Sequence, residues 1–274
     1  MKYLTTILLT VGILPLSAQQ IVINTEHTAL VLRVDKDKRL HQTYLGKRLI
    51  HEKEYDMLSN MGEVCIANGN GDYFEPAFHI SNNKGNETLV LKYVSHQVKK
   101  TEDNNTETVI VLSDEVRQNS VRLFYKTYSK EDVISTYAEI INGEQQPVYL
   151  YKYASALLHL NAEAYYLTQF NGDWAAEVGM TESRLGFGKK IIDSNLGTRT
   201  NMFASPFFVL SLEKNAEENT GKALIGTLGW TGNFRFTFEV DHENKLRVIS
   251  GINPYNSKYE LKVGETFKTP EFIF

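Results

Sequence analysis

Two short glycine-rich segments carry side chains that could bind a neutral, hydroxyl-rich ligand such as a sugar. In the first, Asp72 and Tyr73 follow a Gly-Asn-Gly run (69–71), where glycine lets the backbone turn tightly and approach another surface. A carboxylate accepts hydrogen bonds from hydroxyl groups, and a tyrosine ring can cover the apolar face of a sugar. The alternative interpretation is a plain hairpin turn in which the aspartate bonds to nearby backbone.

The second segment is the run Gly-Trp-Thr-Gly-Asn-Phe (229–234). Trp230 offers a large flat surface for stacking, and the amide of Asn233 both donates and accepts hydrogen bonds. Trp230 is therefore a candidate stacking residue and Asn233 a candidate hydrogen-bonding residue. The alternative is that Trp230 is a buried sheet residue and that 231–233 only connects two strands.

Acid–base, metal and disulfide chemistry have little support in the sequence. The seven histidines are scattered, and Cys65 is the single cysteine, so neither a histidine–cysteine metal site nor an intrachain disulfide is expected. No cofactor is expected either. His96, His159 and Glu163 deserve one check, because a histidine and a glutamate can act as acid and base, yet no recognisable motif surrounds them.

Composition and charge restrict the function further. The chain has 274 residues, a formal net charge of −4 and 11% aromatic residues. No Lys/Arg cluster exceeds two in a row, so a nucleic-acid partner is not expected. The length suits one large β domain, and the absence of a low-complexity linker favours a single continuous domain over residues 19–274.

The first residues have the form of a secretory signal peptide. Lys2 precedes an apolar stretch from Leu4 to Leu14, and a small-residue site ends at Ala18. The apolar stretch is shorter than the ~20 residues that a membrane-spanning helix needs. The sequence therefore predicts cleavage after Ala18, a secreted or periplasmic protein, and no membrane association of the mature chain.

Hydrophobic alternation predicts an all-β fold with few short helices. Short apolar or alternating runs recur between Asn, Gly and Asp residues, which is typical of antiparallel hairpins in a two-sheet sandwich. The predicted strands are 30–34, 88–94, 108–112, 121–128, 133–141, 223–228, 235–240, 245–249 and 259–263. The polar stretches 99–107 and 213–222 are predicted to be solvated loops. Tyr149, Tyr151 and Tyr153 recur at period two and are expected on one face of a strand.

A series of segments resembles, in order, the N-terminal β domain of glycoside hydrolase family 36. They are GNGDYFEPAFHI (69–80), LVLKYVSHQV (89–98), NGDWAAE (171–177), GTRTNMFASPFF (197–208), GWTGNF (229–234) and LRVISGINPY (246–255). The fourth segment departs from the family pattern, which usually reads Arg-Gly-x-Ser-Ser, then His, then Asn-Pro-Phe-Phe. This chain has Thr198-Arg199-Thr200-Asn201 and Ser205-Pro206-Phe207-Phe208 instead. The departure concerns loop contacts rather than the fold.

The resemblance implies a galactose-mutarotase-like β-supersandwich from an α-galactosidase. In that family the two catalytic aspartates lie in a (β/α)8 barrel that follows this domain, the nucleophile in a Lys-Trp-Asp-x-Asn type motif. No such motif occurs in the 274 residues, and no barrel is expected in them. We therefore assign no catalytic residue and expect a domain that is inactive alone.

Three functions follow as expectations. The first is the non-catalytic N-terminal domain of a secreted α-galactosidase-like hydrolase, with a catalytic barrel as partner and α-galactosides as the ligand of the pair. The second is a stand-alone periplasmic carbohydrate-binding protein. The third is an assembly role through self-association, since the apolar segment PEFIF (270–274) resembles a strand that abuts further protein. Sugar specificity stays open between galactose and N-acetylgalactosamine.

Overall fold

A computed structural model describes residues 19–70 and 74–274. The predicted signal peptide (1–18) and the candidate residues Asp72 and Tyr73 lie outside the described residues. The strands are numbered β1 to β20 in chain order. All ladders between them are antiparallel, as expected when short connections join successive strands.

The largest sheet has ten strands, nine of them in one continuous order. In that order they are β12 (Gly179–Leu185), β11 (Tyr165–Asn171), β14 (Ala204–Glu217), β15 (Thr220–Leu228), β20 (Phe272–Ile273), β9 (Val133–Ile141), β8 (Ser120–Tyr128), β7 (Thr106–Ser113) and β6 (Lys92–Lys100), with β19 (Thr266–Lys268) also paired to β9.

A six-stranded sheet packs against it. Its order is β13 (Gly188–Ser194), β16 (Phe234–Val240), β17 (Lys245–Ile252), β10 (Val148–Asn161) and β18 (Tyr259–Leu261), with β5 (Phe78–Asn82) also paired to β10. A four-stranded N-terminal sheet contains β1 (Gln19–Asn24), β2 (Thr28–Val34), β3 (Leu40–Lys47) and β4 (Gly62–Glu63).

Apolar side chains fill two large neighbouring cores, and a small third cluster contains Ala29, Val31 and Tyr55. One core includes Leu30, Ile80, Ile110 and Leu150 from the N-terminal part of the chain. The other lies between the ten- and six-stranded sheets and contains a group of phenylalanines: Phe208, Phe234, Phe236, Phe238 and Phe272. Rings of this size bury large apolar areas and dominate core energetics. The two cores explain how a single β domain of this length is stabilised.

Gly226 shows how closely the second core is packed. A Cβ atom at this position would lie 2.4 Å from the Phe208 ring and 2.8 Å from the Phe272 ring. Only glycine therefore allows the two rings to reach β15, because real Cβ atoms do not approach other heavy atoms so closely.

The all-β antiparallel sandwich is confirmed, and short 3-10 segments account for the helical content that the structure describes: Glu52–Met57, Glu102–Asn104 and Gly197–Arg199. The described strands form three sheets, one more than expected, because β1 to β4 pair with one another. Among the described residues, no helix has the length and apolar character needed to cross a membrane.

Several strand boundaries differ from the expectations. Residues 88–91 are not in a strand, because the backbone N–H of Val90 donates to the Asp114 carboxylate rather than to a ladder. The polar stretch 213–222 lies mostly in strands, since β14 continues to Glu217 and β15 begins at Thr220. The register of β10 shifts between Leu150 and Lys152.

That register shift also affects the three tyrosines of β10. Tyr153 is buried in the first core, whereas Tyr149 and Tyr151 are half-buried. The ammonium group of Lys258 lies 4.1 Å from the ring centroid of Tyr149 and 5.9 Å from that of Tyr151. The prediction of three equivalent rings is therefore wrong, because a bulge changes the side-chain period.

Candidate functional site

Four connecting segments meet at one end of the sandwich, which we call the loop end: 172–178, 195–203, 229–233 and 253–258. In the ten-stranded sheet, Asn171 pairs with both Gly179 and Ala204, so the segments beside these residues lie together. In the six-stranded sheet, Phe234 pairs with both Ser194 and Ile252. Segments 195–203 and 229–233 each connect the ten-stranded sheet with the six-stranded sheet. These ends of the two sheets therefore lie next to each other.

Trp230 lies at the loop end with 40% of its surface exposed. Its backbone N–H donates to the carbonyl of Leu228 at 2.8 Å. The indole packs over Gly232, where a Cβ atom would lie only 2.5 Å from the indole Nε1. Trp230 is therefore neither a buried sheet residue nor a fully free stacking platform, and its role in ligand binding stays a prediction.

Asn233 links three of the four segments. Its side-chain Oδ1 accepts a hydrogen bond from the backbone N–H of Gly197 at 2.7 Å. Its backbone carbonyl accepts one from the N–H of Asn253 at 3.1 Å. One lone pair of the side-chain oxygen is thus used within the protein, while its second lone pair and the Nδ2 donors are left for a ligand. Sugar binding by Asn233 stays a prediction.

Asn253 has a structural role, and the sequence shows it only as part of the segment LRVISGINPY (246–255). It is buried, its Nδ2 donates to the Ser194 carbonyl at 3.2 Å, and its Oδ1 accepts from the Tyr255 N–H at 3.0 Å. The same Nδ2 lies 3.2 Å from Asp193, which also binds Arg235 at 2.8 Å. An Asn directly before a proline at the end of an apolar run is the sequence signal that could have identified it.

Trp174 is the most exposed aromatic residue at the loop end. Its side chain is 90% exposed, and its backbone N–H donates to the Asp173 carboxylate at 2.7 Å. Ala175 and Val178 in the same turn have φ values of 58° and 57°, which is rare for a β-branched residue. Trp174 therefore does not pack in the core, because the turn points its ring outward.

Further exposed apolar side chains surround these tryptophans. They are Val178, Leu196, Met202, Phe203 and Tyr255. The backbone N–H of Gly172 donates to the Phe203 carbonyl at 3.2 Å, which ties the Trp174 turn to segment 195–203. Aromatic and methionine side chains gathered in this way are typical of the centre of a protein interface.

Residues on both sides of the candidate pair Asp72 and Tyr73 are anchored to the body of the domain. Asn70 Nδ2 donates to the Leu89 carbonyl at 2.9 Å. On the other side, the Arg247 guanidinium lies 4.1 Å from the centroid of the Phe74 ring. The structure does not test whether Asp72 and Tyr73 approach Trp230 and Asn233.

Glu75 is the strongest of these anchors, because its carboxylate binds both Lys152 and Lys189, the latter at 2.9 Å. Burial favours a higher pKa of Glu75, but the two ammonium groups outweigh burial and hold the pKa below its ordinary value. Burial lowers the pKa of Lys152 despite the neighbouring carboxylate. The group is thus an ion-paired cluster on the sheet rather than a proton-transfer site.

The histidines and glutamate considered for acid–base chemistry serve other roles. His96 Nδ1 lies 2.8 Å from the Tyr93 hydroxyl, and burial lowers the pKa of His96. His159 is buried, with its Nε2 2.9 Å from the Glu63 carbonyl, while Glu163 is exposed. In the part of the chain that the structure describes, no group of three or more His, Cys, Asp or Glu residues could hold a metal ion.

Comparison with known proteins gives the chain its family. The family model for the glycosyl hydrolase family 36 N-terminal domain matches residues 35–262. The α-galactosidase Mel36A of Lactobacillus acidophilus is 29% identical over 81% of this chain. The bifunctional α-galactosidase/sucrose kinase AgaSK of Mediterraneibacter gnavus is 26% identical over 92% of it.

A solved family 36 α-galactosidase, AgaA from Geobacillus stearothermophilus, shares the fold with a TM-score of 0.86 and 24% identity over 93% of this chain. The chain spans only 40% of that solved chain and 30% of each of the two curated relatives. Its similarity therefore lies within the β domain of these larger enzymes. The chain belongs to the glycosyl hydrolase family 36 N-terminal domain family.

Proposed function

We propose that this chain is the non-catalytic N-terminal domain of a secreted α-galactosidase-like glycoside hydrolase. It acts in the metabolism of α-galactosides together with a (β/α)8 catalytic barrel. The observation that carries the proposal is the match to the N-terminal domain of the family over residues 35–262, in a chain that spans about a third of its relatives.

The side chains of the described residues favour a packing or binding role for the domain over a catalytic role. Retaining glycosidases need two carboxyl groups about 5–5.5 Å apart on either side of the scissile bond. Large apolar side chains and hydrogen-bonded amides dominate the loop end. Of its carboxylates, that of Asp173 accepts the backbone N–H of Trp174 in the same turn. Indole, phenyl and aliphatic groups pack and bind, whereas bond cleavage requires proton transfer that they do not supply.

The loop end is the surface that we propose packs against the barrel. Trp174, Phe203 and Tyr255 are large apolar side chains in solvent, and their exposure is unfavourable unless a partner covers them. The turn around Trp174 contains two residues with positive φ. Strain of this kind costs about 1–3 kcal/mol per residue and persists only where the surrounding structure enforces it.

An activity assay tests this proposal. The purified chain should not release product from an aryl α-galactoside, and a family 36 enzyme such as the Lactobacillus acidophilus relative provides the positive control. Turnover by this chain at an ordinary enzyme rate would refute the non-catalytic role.

A stand-alone carbohydrate-binding protein is the second candidate, favoured by the exposed part of Trp230. Calorimetric titration with galactose, melibiose and raffinose distinguishes the two functions. Binding that Trp230→Ala abolishes and Phe187→Ala preserves would support the second candidate. The absence of heat at millimolar sugar would support the first.

The secreted or periplasmic location follows from the predicted signal peptide over residues 1–18. Fractionation of cells that express the tagged chain should place it outside the cytoplasm. Residues 1–18 should be removed, so that Gln19 becomes the N-terminal residue. Recovery of an uncleaved chain in the cytoplasm would contradict this part of the proposal. Light scattering of the same material tests self-association. The segment 270–274, on which that expectation rested, is paired within the ten-stranded sheet and its Phe272 is buried, so we place the candidate interface at the loop end instead.

A further inference from the structure

A cleft of about 420 Å³ opens where the three sheets meet. We call it the junction cleft. One wall consists of β3 and the segment 58–61 that precedes β4, and the other consists of residues from β10, β14 and β17. Lys245 at the start of β17 lines the junction cleft, whereas Ile252 at its end pairs with Phe234 at the loop end. The length of β17 therefore separates the two regions by roughly 20 Å.

Strand pairing explains why the junction cleft exists. Within the described strands, β4 pairs only with His41 and Gln42 of β3, so residues 43–47 of β3 have a strand neighbour on one side only. The backbone N–H of Met61 donates to the Gln42 carbonyl at 2.8 Å. Residues 58–60, just before it, make no backbone hydrogen bond to β3 in the described part of the chain. A gap therefore opens between segment 58–60 and the free side of β3.

Contacts at the base of the junction cleft hold its two walls together. The side-chain amide of Gln42 bonds to both backbone groups of His159: its Nε2 donates to the carbonyl at 2.7 Å, and its Oε1 accepts from the N–H at 3.0 Å. The ring of His159 packs against Gly62, where a Cβ atom would overlap it. Gln42 and His159 are buried. The junction cleft is therefore formed before a ligand arrives, which lowers the conformational cost of binding.

Aliphatic side chains from all three apolar clusters line the junction cleft. Leu160 and Leu246 are directly paired and buried in the second core. Leu45 packs against both large cores, Leu212 against the second core, and Leu58 against the small third cluster. Leu45, Leu58 and Leu212 are only half-buried. Apolar surface that is left over from three clusters converges in one cleft, which favours a ligand with an apolar body.

The remaining lining residues indicate that this ligand is uncharged and aliphatic. Lys245 is paired with Glu243, and none of the described residues that line the junction cleft carries a carboxylate. Asn60 and Asn161 are exposed, and their amides suit a neutral polar head group. The apolar lining is aliphatic except for Tyr44, whose ring lies 5.4 Å from that of Tyr55. An alkyl chain therefore matches the lining better than an aromatic ring does.

We propose that the junction cleft binds the alkyl chain of a neutral single-chain amphiphile. The chain lies among Leu45, Leu160 and Leu212, and the polar head stays at the rim beside Asn60 and Asn161. The volume of about 420 Å³ is in the range of small-molecule sites. This site is separate from the loop end and requires no catalytic partner, so it does not depend on the proposed function.

Titration calorimetry with a series of alkyl β-D-glucosides, at concentrations below micelle formation, tests the proposal on the full chain. Each methylene added from hexyl to heptyl to octyl glucoside should tighten binding about fourfold, the equivalent of ~0.8 kcal/mol. Octyl glucoside should therefore bind roughly fifteenfold more tightly than hexyl glucoside. Methyl glucoside has the same head group and should give no measurable heat. Equal affinities along the series, or no binding of octyl glucoside, would overturn the proposal.

Methionine side chains provide reporters of where the alkyl chain binds. Met61 lines the junction cleft, whereas Met202 lies at the loop end and Met180 on β12. In NMR spectra of the chain labelled with ¹³C at its methionine methyl groups, octyl glucoside should shift the signal of Met61 and leave those of Met180 and Met202 in place. Met61→Leu assigns the signal. A shift of Met202 without Met61, or equal shifts of all signals, would show binding elsewhere and contradict the proposal.

A variant that closes the junction cleft tests the site without disturbing the cores. Asn161 lines the cleft and is exposed, so Asn161→Trp should unfold at the temperature of the unmodified chain. The added indole should occupy the cleft and weaken octyl glucoside binding at least about tenfold, the equivalent of ~1.4 kcal/mol. Asn83→Trp places the same side chain at an exposed position outside the cleft and should bind like the unmodified chain. If the two variants bind octyl glucoside equally well, the junction cleft is not the site.

Discussion

The side-chain oxygen of Asn233 accepts a hydrogen bond from the backbone N–H of Gly197 at 2.7 Å. This bond connects the segment that leaves the ten-stranded sheet with the segment that enters it. Asn233→Ala should lower the free energy of unfolding by about 0.5–1.5 kcal/mol, the net value of one hydrogen bond whose N–H can turn to water. Asn233→Asp keeps an acceptor oxygen and should retain most of the stability. Urea unfolding measures both, and equal losses in the two variants would contradict this role.

For Trp174 we predict almost no effect on the stability of the domain. Because its side chain is 90% exposed, Trp174→Ser should change the free energy of unfolding by less than about 0.5 kcal/mol. The same substitution should reduce association at high protein concentration if the loop end is an interface. Phe187→Ser, at the far end of β12, is the matched control in light scattering. A large loss of stability in Trp174→Ser would show that the ring packs within the domain.

Gly226 tests the packing of the second core. The Cβ of Gly226→Ala would meet the Phe208 ring at 2.4 Å, so one or both rings must move. We expect a loss of about 1–3 kcal/mol in the free energy of unfolding. Gly186→Ala, where no other atom lies within 4 Å of the new Cβ, is the control. Similar stability of the two variants would contradict the packing described for β15.

The ion pairs of Glu75 should make the free energy of unfolding depend on pH. Burial favours a higher pKa, but Lys152 and Lys189 hold the pKa of Glu75 below its ordinary value of 4.5. The stabilisation is therefore fully present above about pH 4.5 and is lost as pH falls through the lower folded-state pKa. Glu75→Gln should cost about 1–3 kcal/mol at pH 7, and the difference from the unmodified chain should shrink in acid.

Urea unfolding between pH 3 and pH 7 measures this difference. Glu115→Gln is the control, because its ion pair with Lys92 is largely exposed and should contribute less than about 1 kcal/mol. A constant difference between Glu75→Gln and the unmodified chain across this range would show that the ion pairs do not set the stability.

Local patterns predicted many of the strands, and the reasons for success and failure are physical. β9 has the bounds expected for 133–141, because its apolar residues face one core and a Gly-containing turn ends it. The strand expected at 88–94 begins only at Lys92, because the Asp114 carboxylate accepts the N–H of Val90, a contact between residues 24 positions apart. The longer extent of β14 and β15 depends on hairpin pairing, which sustains strands through polar residues.

The candidate site was predictable only in part. Glycine and tryptophan in segment 229–233 indicated an irregular connection, which the structure has. The residues that contact this segment are determined by the packing of the two sheets at the loop end. No local sequence pattern predicts that packing. No local pattern indicates the surroundings of Asn253 and Trp174 either: the first is buried by contacts with Ser194, and the second is exposed by a turn with unusual φ values.

The measurement that tests the central claim most directly is hydrolysis of an aryl α-galactoside by the purified chain. The unmodified chain and Trp230→Ala should both release product no faster than a buffer blank, while the Lactobacillus acidophilus relative turns over under the same conditions. Turnover by the unmodified chain within the usual enzyme range of about 1–10³ s⁻¹, lost in Trp230→Ala, would contradict the account and place a catalytic site within the β domain.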